Sequence, residues 1–302
     1  MHDESEGQVF DRFTELEPGV KTGLGNALNV RGVGAEYEAA AAFRGTDWEV
    51  RLRPNYIDAD GKKSREYDLR AAVTAKAETT EGEPCLTTLT LAMEVKGVRY
   101  TPWVVLRAPK GILTPLESWV PVISGGLRQD DLAGIAATMR RNGHPLLEPG
   151  SATRGKKLHI DAGITEPLRP KNKPQGSRTE LWLEASLAAC KAAEHVASER
   201  MRRGEGAGSD PVGGRDWTGV LHVVQPVVVL DGMLVAAARS GEGDWDIERV
   251  PAAQIEFEFA TERYSRRLYR VDVVAIDHLP HYIRVMEHLA RALHDFNVAR
   301  PR

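Results

Sequence analysis

At 302 residues, 42% hydrophobic and 27% charged, the chain is long enough to bury a substantial core and has the composition of a globular protein. A formal net charge of -3 excludes a protein that coats nucleic acid through bulk positive charge, so phosphate binding would need a local basic patch or a metal ion. Cys85 and Cys190 lie far apart, which excludes a disulfide framework and zinc-type spacing, and no apolar run nears the roughly 20 residues that span a bilayer.

Residues 1–8 read as a loose acidic tail without signal-peptide character; with the unpaired cysteines, this makes a reducing cytoplasm the expected compartment. Val9, Phe10, Phe13 and Leu16 have helical spacing. Residues 19–34 are glycine-rich and read as a flexible loop. Gly23-Leu24-Gly25 follows no hydrophobic strand, so a dinucleotide-binding turn is not expected there. An alanine-rich run over 35–43 predicts a helix, and residues 48–53 alternate as a strand up to Pro54. Asp58-Ala59-Asp60-Gly61-Lys62-Lys63 reads as a turn with its side chains in solvent.

Two strands follow, over 65–71 and 89–97, joined by a polar stretch over 77–84 that reads as a long loop. In the second, Leu91, Met93 and Val95 alternate onto one face and leave Ala92, Glu94 and Lys96 on the other. In the first, Tyr67, Leu69 and Ala71 share a face, with Asp68 opposite. If the strands pair, Asp68, Glu94 and Lys96 converge on one patch. Two carboxylates and an amine so placed suit a divalent cation with a water or phosphate beside it. The competing reading is a salt-bridge cluster on a half-exposed sheet. A carboxylate two residues before a lysine occurs by chance about once or twice in such a chain. It appears here as Asp60-Gly61-Lys62, in the turn, and as Glu94-Val95-Lys96, the only one in a strand.

Further along, residues 103–106 predict a strand and 129–142 a helix within an irregular region. Arg154, Lys156, Lys157, Arg169, Lys171 and Lys173 form a proline-spaced basic stretch. It is either a solvated loop or an arm that contacts phosphates. Residues 180–203 carry a helical apolar stripe that includes Cys190, read as a core thiol. Residues 217–230 read as a buried strand in which Pro226 requires a bulge or a sheet margin. Strands over 233–238, 254–259 and 268–276 and a helix over 282–296 complete the chain. Of His278, His281, His288 and His294, clustered near the C-terminus, His281 and His288 lie seven apart on one helical face instead of the three or four of a helical zinc pair, and a surface or cap role is expected. No nucleophile-elbow or P-loop motif is present.

The order helix, strand, acid-bearing strand, Glu-x-Lys strand, with Gly34-x-x-Tyr37-Glu38 on the helix, resembles the PD-(D/E)XK, or restriction-endonuclease-like, nuclease superfamily. The resemblance spans about residues 33–100, and more loosely the later helix and the strand over 221–230. It implies an α/β fold: a mixed β-sheet flanked by helices, with a restriction-endonuclease-like core and C-terminal strand and helix extensions. Within one domain, 1–32 would be an N-terminal arm, 33–107 and 178–232 the core, 108–177 an insertion, and 233–302 the extension. The resemblance also implies Mg²⁺ or Mn²⁺ held by Asp68, Glu94 and the Val95 carbonyl, with Glu38 completing the site and Lys96 acting on the attacking water. The expected activity is metal-dependent endonuclease cleavage, most readily of DNA, in defence or repair, by a homodimer if both strands are cut. Two alternatives stay open: a non-catalytic nucleic-acid-binding or assembly module on the same fold, and a protein acting on small molecules.

Overall fold

The computed structural model describes residues 17–30, 32–79, 81–97, 102–107, 122–124, 129–142, 157–160, 181–202, 208–209, 216–217, 219–239, 243–259 and 267–300. The first half holds α1 (Pro18–Val30), α2 (Val33–Ala41), β1 (Glu49–Leu52), β2 (Asn55–Ile57), β3 (Ser64–Glu66), β4 (Leu69–Glu78) and β5 (Pro84–Gly97). Next come β6 (Trp103–Arg107), β7 (Val122–Ser124), α3 (Gln129–Asn142), β8 (Lys157–Ile160) and α4 (Leu181–Arg202). The last part holds β9 (Gly208–Ser209), β10 (Asp216–Trp217), β11 (Gly219–Asp231), β12 (Leu234–Arg239), β13 (Trp245–Arg249), β14 (Ala252–Phe259) and β15 (Arg267–Ala275). A one-turn 3-10 helix (Ile276–His278) leads into α5 (Leu279–Ala299).

The fold is α/β. A seven-stranded mixed sheet runs β1-β4-β5-β11-β15-β14, with β7 added beside β11. β1, β4 and β5 form an antiparallel meander, and β11 lies parallel to β5 and to β15. The two central strands are buried on both faces, which is why Leu-Thr-Leu-Ala-Met and Val-Val-Val-Leu runs form them. One face of the sheet, carrying Leu69, Leu91, Met93, Val227 and Val229, packs with α2, α3 and α5. The other, carrying Ala92, Val224, Val228 and Val273, packs against α4 and against β6 and β12. β6 and β12 belong to a second, four-stranded sheet ordered β13-β12-β6-β8. The strands over 103–106 and 233–238 therefore do not continue the main sheet, whereas β14 and β15 do.

α5 shows how the closing helix is specified. Leu279, Tyr282, Ile283, Met286, Leu289 and Leu293 recur at three- and four-residue spacing and are all buried, each contributing about 1.5–3 kcal/mol for a full-size apolar side chain. Asn297, on the last turn, donates through Nδ2 to the Gly219 carbonyl at 3.2 Å and to Thr87 Oγ1 at 3.0 Å. It thereby ties α5 to the start of the two central strands.

Three local expectations change. Residues 18–30 are helical, not a loop. Pro18 stands in the first turn, and the exposed glycines at 19 and 23 weaken the helix by about 1 kcal/mol each without breaking it. The stretch 77–84 is no long loop: β4 has 10 residues and β5 has 14. Their turn is closed by Thr79 N–H to Glu83 O at 2.8 Å. Pro226 causes no bulge, because β11 stays in register with β5 from Gly219 to Asp231. On its other edge β11 pairs with β7 through Val224 and with β15 from Val227. Pro226, which has no N–H, sits where one neighbour hands over to the next. Residues 9–16 lie outside the described residues. Among the described residues no helix is long and apolar enough to cross a membrane.

Candidate functional site

The antiparallel ladder between β4 and β5 ends at the pair Leu69 and Met93. One residue before it, Asp68 sits in a bend, and its Oδ2 accepts the Val95 N–H at 2.7 Å. A side-chain oxygen thus supplies the next rung where the strand has stopped, which aims the carboxylate at β5. The same bend reverses the alternation: Tyr67 packs with the α4 side of the sheet, while Leu69 and Ala71 pack on the α2 and α5 side. The expectation that Tyr67 shares a face with them fails for that reason.

Asp68, Glu94 and Lys96 are brought together. Lys96 Nζ donates to Glu94 Oε2 at 2.7 Å and lies 3.7 Å from Asp68 Oδ2. Glu94 has only 6% of its side chain exposed. Burial pushes its carboxyl up to about 7, Asp68 adds to the rise, and the Lys96 ammonium opposes it. Burial alone would lower the Lys96 amine; the charges of Glu94 and Asp68, the bond to Glu94 and the charge of Glu36 outweigh it and hold it above its usual value. Lys96 is therefore a protonated donor at neutral pH.

Glu38 does not join this group. It projects from the exposed face of α2, and the helical glutamate that faces the cluster is Glu36, itself buried. The signal is legible in the helix itself. At 3.6 residues per turn, the stripe Ala35, Ala39, Phe43 has its centre about 60° from Glu36 and about 100° from Glu38. Glu36 Oε2 accepts from Arg53 Nε at 2.8 Å, and Arg53 also lies 3.7 Å from Glu66 Oε1. Arg53 takes a left-handed conformation, φ 49, just before Pro54, at a cost of about 1–3 kcal/mol for a non-glycine residue. Its N–H donates to the Asp68 carbonyl at 2.9 Å, and Tyr67 N–H donates to the Pro54 carbonyl. No sequence pattern marks Arg53, because only this turn brings it to the cluster.

The 58–63 turn also departs from expectation. Asp58 is buried, and Lys191 Nζ on α4 contacts its Oδ1 and Oδ2, each at 3.1 Å, and Asp60 Oδ2 at 2.9 Å. Arg65 Nε adds a bond of 2.7 Å to Asp58. These bonds, the Asp60 N–H and the Lys191 charge outweigh burial and lower the Asp58 carboxyl. The hairpin of β2 and β3 is thereby pinned to α4 beside the Asp68 bend. Elsewhere, a cavity of about 820 Å³ lies on the α5 side of the sheet, lined by Arg44, Val73, Leu89, Arg284 and Arg291 among others, and shares no residue with the acid–lysine cluster.

Do these residues suit a divalent cation? The donors are hard oxygens: the carboxylates of Asp68 and Glu94, both reached by Lys96 Nζ, and the Val95 carbonyl. Paired carboxylates with a carbonyl beside them are the oxygen donors that divalent cations take. That donor chemistry fits Mg²⁺ or Mn²⁺. Among the described residues, however, no group of three His, Cys, Asp or Glu side chains is arranged to hold a metal; Glu36 is turned to Arg53 instead. Arg154, Lys156, Arg169, Lys171 and Lys173 lie outside the described residues, and of Lys157 only the backbone, in β8, is described. Compared with protein-family models, with curated proteins and with solved structures, the chain matches none.

Proposed function

We propose that the chain is a divalent-cation-dependent nuclease of the PD-(D/E)XK type, acting on DNA. The observation that carries this reading is the meeting of Asp68, Glu94 and Lys96 at one end of β5, with Lys96 Nζ bonded to Glu94 and 3.7 Å from Asp68. The element order supports it: α2, the meander β1-β4-β5, the helix α4, and β11 parallel to β5 follow the order that resemblance implies.

Asp68, Glu94 and the Val95 carbonyl would hold the cation, with Glu36 in reach of the same cluster. When bound, a divalent cation supplies Lewis acidity and lowers the pKa of a water. Asp68 has a second task, since its bond to Val95 N–H fixes the end of β5 and so the direction of the Val95 carbonyl. Lys96, held protonated, donates to the negative charge that grows on the phosphoryl oxygens as water attacks phosphorus. The P–O3′ bond breaks, leaving a 3′-hydroxyl and a 5′-phosphate. Burial of Glu94 lowers the local dielectric and strengthens the Lys96 contribution.

A second reading, a nucleic-acid-binding or assembly module without cleavage, is favoured by one observation. The charges already neutralise one another, Glu94 against Lys96 and Glu36 against Arg53, as in a structural network. Plasmid and single-stranded DNA incubated with the parent protein in Mg²⁺ or Mn²⁺ separate the two. Cleavage by the parent that is lost in Lys96→Ala supports the nuclease. A parent that binds DNA without cutting it supports the module, and Lys96→Ala cutting at the parent rate overturns the role given to the lysine.

A further inference from the structure

β1 stands at one edge of the main sheet and, among the described residues, pairs with β4 alone. An edge strand turns half of its N–H and C=O groups outward, a template for another strand. Alternation puts Glu49 and Arg51 on one face of β1, and Val50 and Leu52 on the other with Trp48 just before the strand. Trp48 and Val50 pack toward α2 and α5, while Glu49 and Arg51 are 66% and 63% exposed.

Charges on an edge normally keep a second copy away. Here their order invites one. When a second β1 lies antiparallel with Val50 opposite Val50, Glu49 faces Arg51 and Leu52 faces Trp48, each twice by symmetry. A slip of two residues sets Glu49 against Glu49 or Arg51 against Arg51, so the charges select the first register. Asp47 and Arg53 continue the pattern in sequence, but Arg53 is held by Glu36, so they are left out of the pairing. Within one copy, Arg51 Nε and Nη2 both bond Glu49 Oε1. Glu49 Oε2 and Arg51 Nη1 are thereby left for the second copy. β13, at the edge of the second sheet, fails the same test: pairing about Ile247 sets Asp246 against Glu248.

We propose that β1 is a homodimerisation edge: two copies of this chain pair antiparallel along it, about a two-fold axis at Val50, and join their main sheets into one. β1 has four residues, so the contact is smaller than a standard interface and the dimer is a weak one. The acid–lysine cluster lies beyond the Leu52 end of β1, past the row Leu52, Leu69, Met93. Antiparallel pairing therefore places the two clusters at opposite ends of the joined sheet. The inference stands without the nuclease reading, because it uses none of that site's residues.

The test is sedimentation velocity on the full chain, with the parent expected to show a monomer–dimer equilibrium of Kd about 1–100 µM. Arg51→Glu makes the edge wholly acidic and Glu49→Arg makes it wholly basic. Each alone should associate about tenfold or more weakly than the parent, since both cross-strand pairs become like-charged. Mixed one to one, the two variants should form a heterodimer with about the parent's affinity. The double variant Glu49→Arg with Arg51→Glu, its pattern inverted, should dimerise as the parent does. Recovery in the mixture also shows that neither single variant has lost its fold. A parent that stays monomeric up to about 500 µM overturns the inference. So do single variants that dimerise as the parent does, or a mixture that associates no better than its components.

Discussion

Glu94 offers the sharpest test of the site, and one that needs no substrate. An ordinary glutamate near 4.5 pushed up to about 7 corresponds to about 3 kcal/mol at 1.36 kcal/mol per tenfold in proton affinity. Because the carboxyl is buried in the fold and solvated in the unfolded chain, the folded state keeps its proton between about pH 4.5 and 7 while the unfolded state has lost it. The unfolded state therefore binds fewer protons in that window, and stability falls as pH rises through it. Lys96, held above its usual value, does not titrate there. Urea unfolding of the parent in a chelator should lose about 2–3 kcal/mol from this group between pH 5 and pH 8. Glu94→Gln keeps an acceptor for Lys96 and has no proton to lose, so its profile should lack that decline. The difference between the two profiles isolates Glu94, since other titrating groups are common to both. Mn²⁺ at about 100 times its Kd should return about 2.7 kcal/mol to the parent at pH 8. Parallel profiles for parent and variant would show that Glu94 titrates as an exposed carboxylate does, and the argument from burial would fail.

Further substitutions test the supporting structure. Asp68→Ala leaves the Val95 N–H without its acceptor and should cost about 1.5–3 kcal/mol in urea unfolding at pH 6, whereas Asp68→Asn, which keeps an oxygen there, should cost less than half as much; equal losses would mean that the bond to Val95 is not what holds the bend. Removing Asp58, only 2% exposed, leaves Lys191 with Asp60 alone and takes away the buried acceptor of Arg65, so Asp58→Ala should lower stability by about 1.5–3 kcal/mol. A thermal midpoint unchanged from the parent would contradict that pinning of the hairpin. A Cβ on Gly134 of α3 would stand 2.5 Å from Phe296 Cε2 on α5. Gly134→Ala should therefore destabilise by about 1–2 kcal/mol, overpacking outweighing the gain in helix propensity, and Phe296→Leu in the same chain should recover most of the loss. An alanine variant more stable than the parent would show that the ring simply swings aside.

Much of the fold follows from periodicity. The helix expected over 129–142 is found as α3 with those bounds, and those expected over 180–203 and 282–296 appear as α4 and α5 with slightly different ends. In each, one apolar stripe has to be buried, and a stripe is a local property of the chain. The pairing of Asp68 with Glu94 and Lys96 was also within reach, because alternation along two strands determines which side chains share a face once the strands are neighbours. What alternation does not contain is where a strand ends. Asp68 points at β5 because the ladder stops at Leu69, and Tyr67 changes face for the same reason.

The helix glutamate was half legible. The apolar stripe of α2 favours Glu36 over Glu38, yet only packing against the sheet edge turns Glu36 to Arg53. Arg53 and Asp58 were not legible at all. One depends on a left-handed residue before a proline, the other on Lys191, 133 positions away along the chain. Hydrophobic spacing selects helices, strands and buried faces because solvent acts on each residue separately. Charges find partners through space, so the neutralised network around β5 exists only once the meander, α2 and the Arg53 turn have closed on one another.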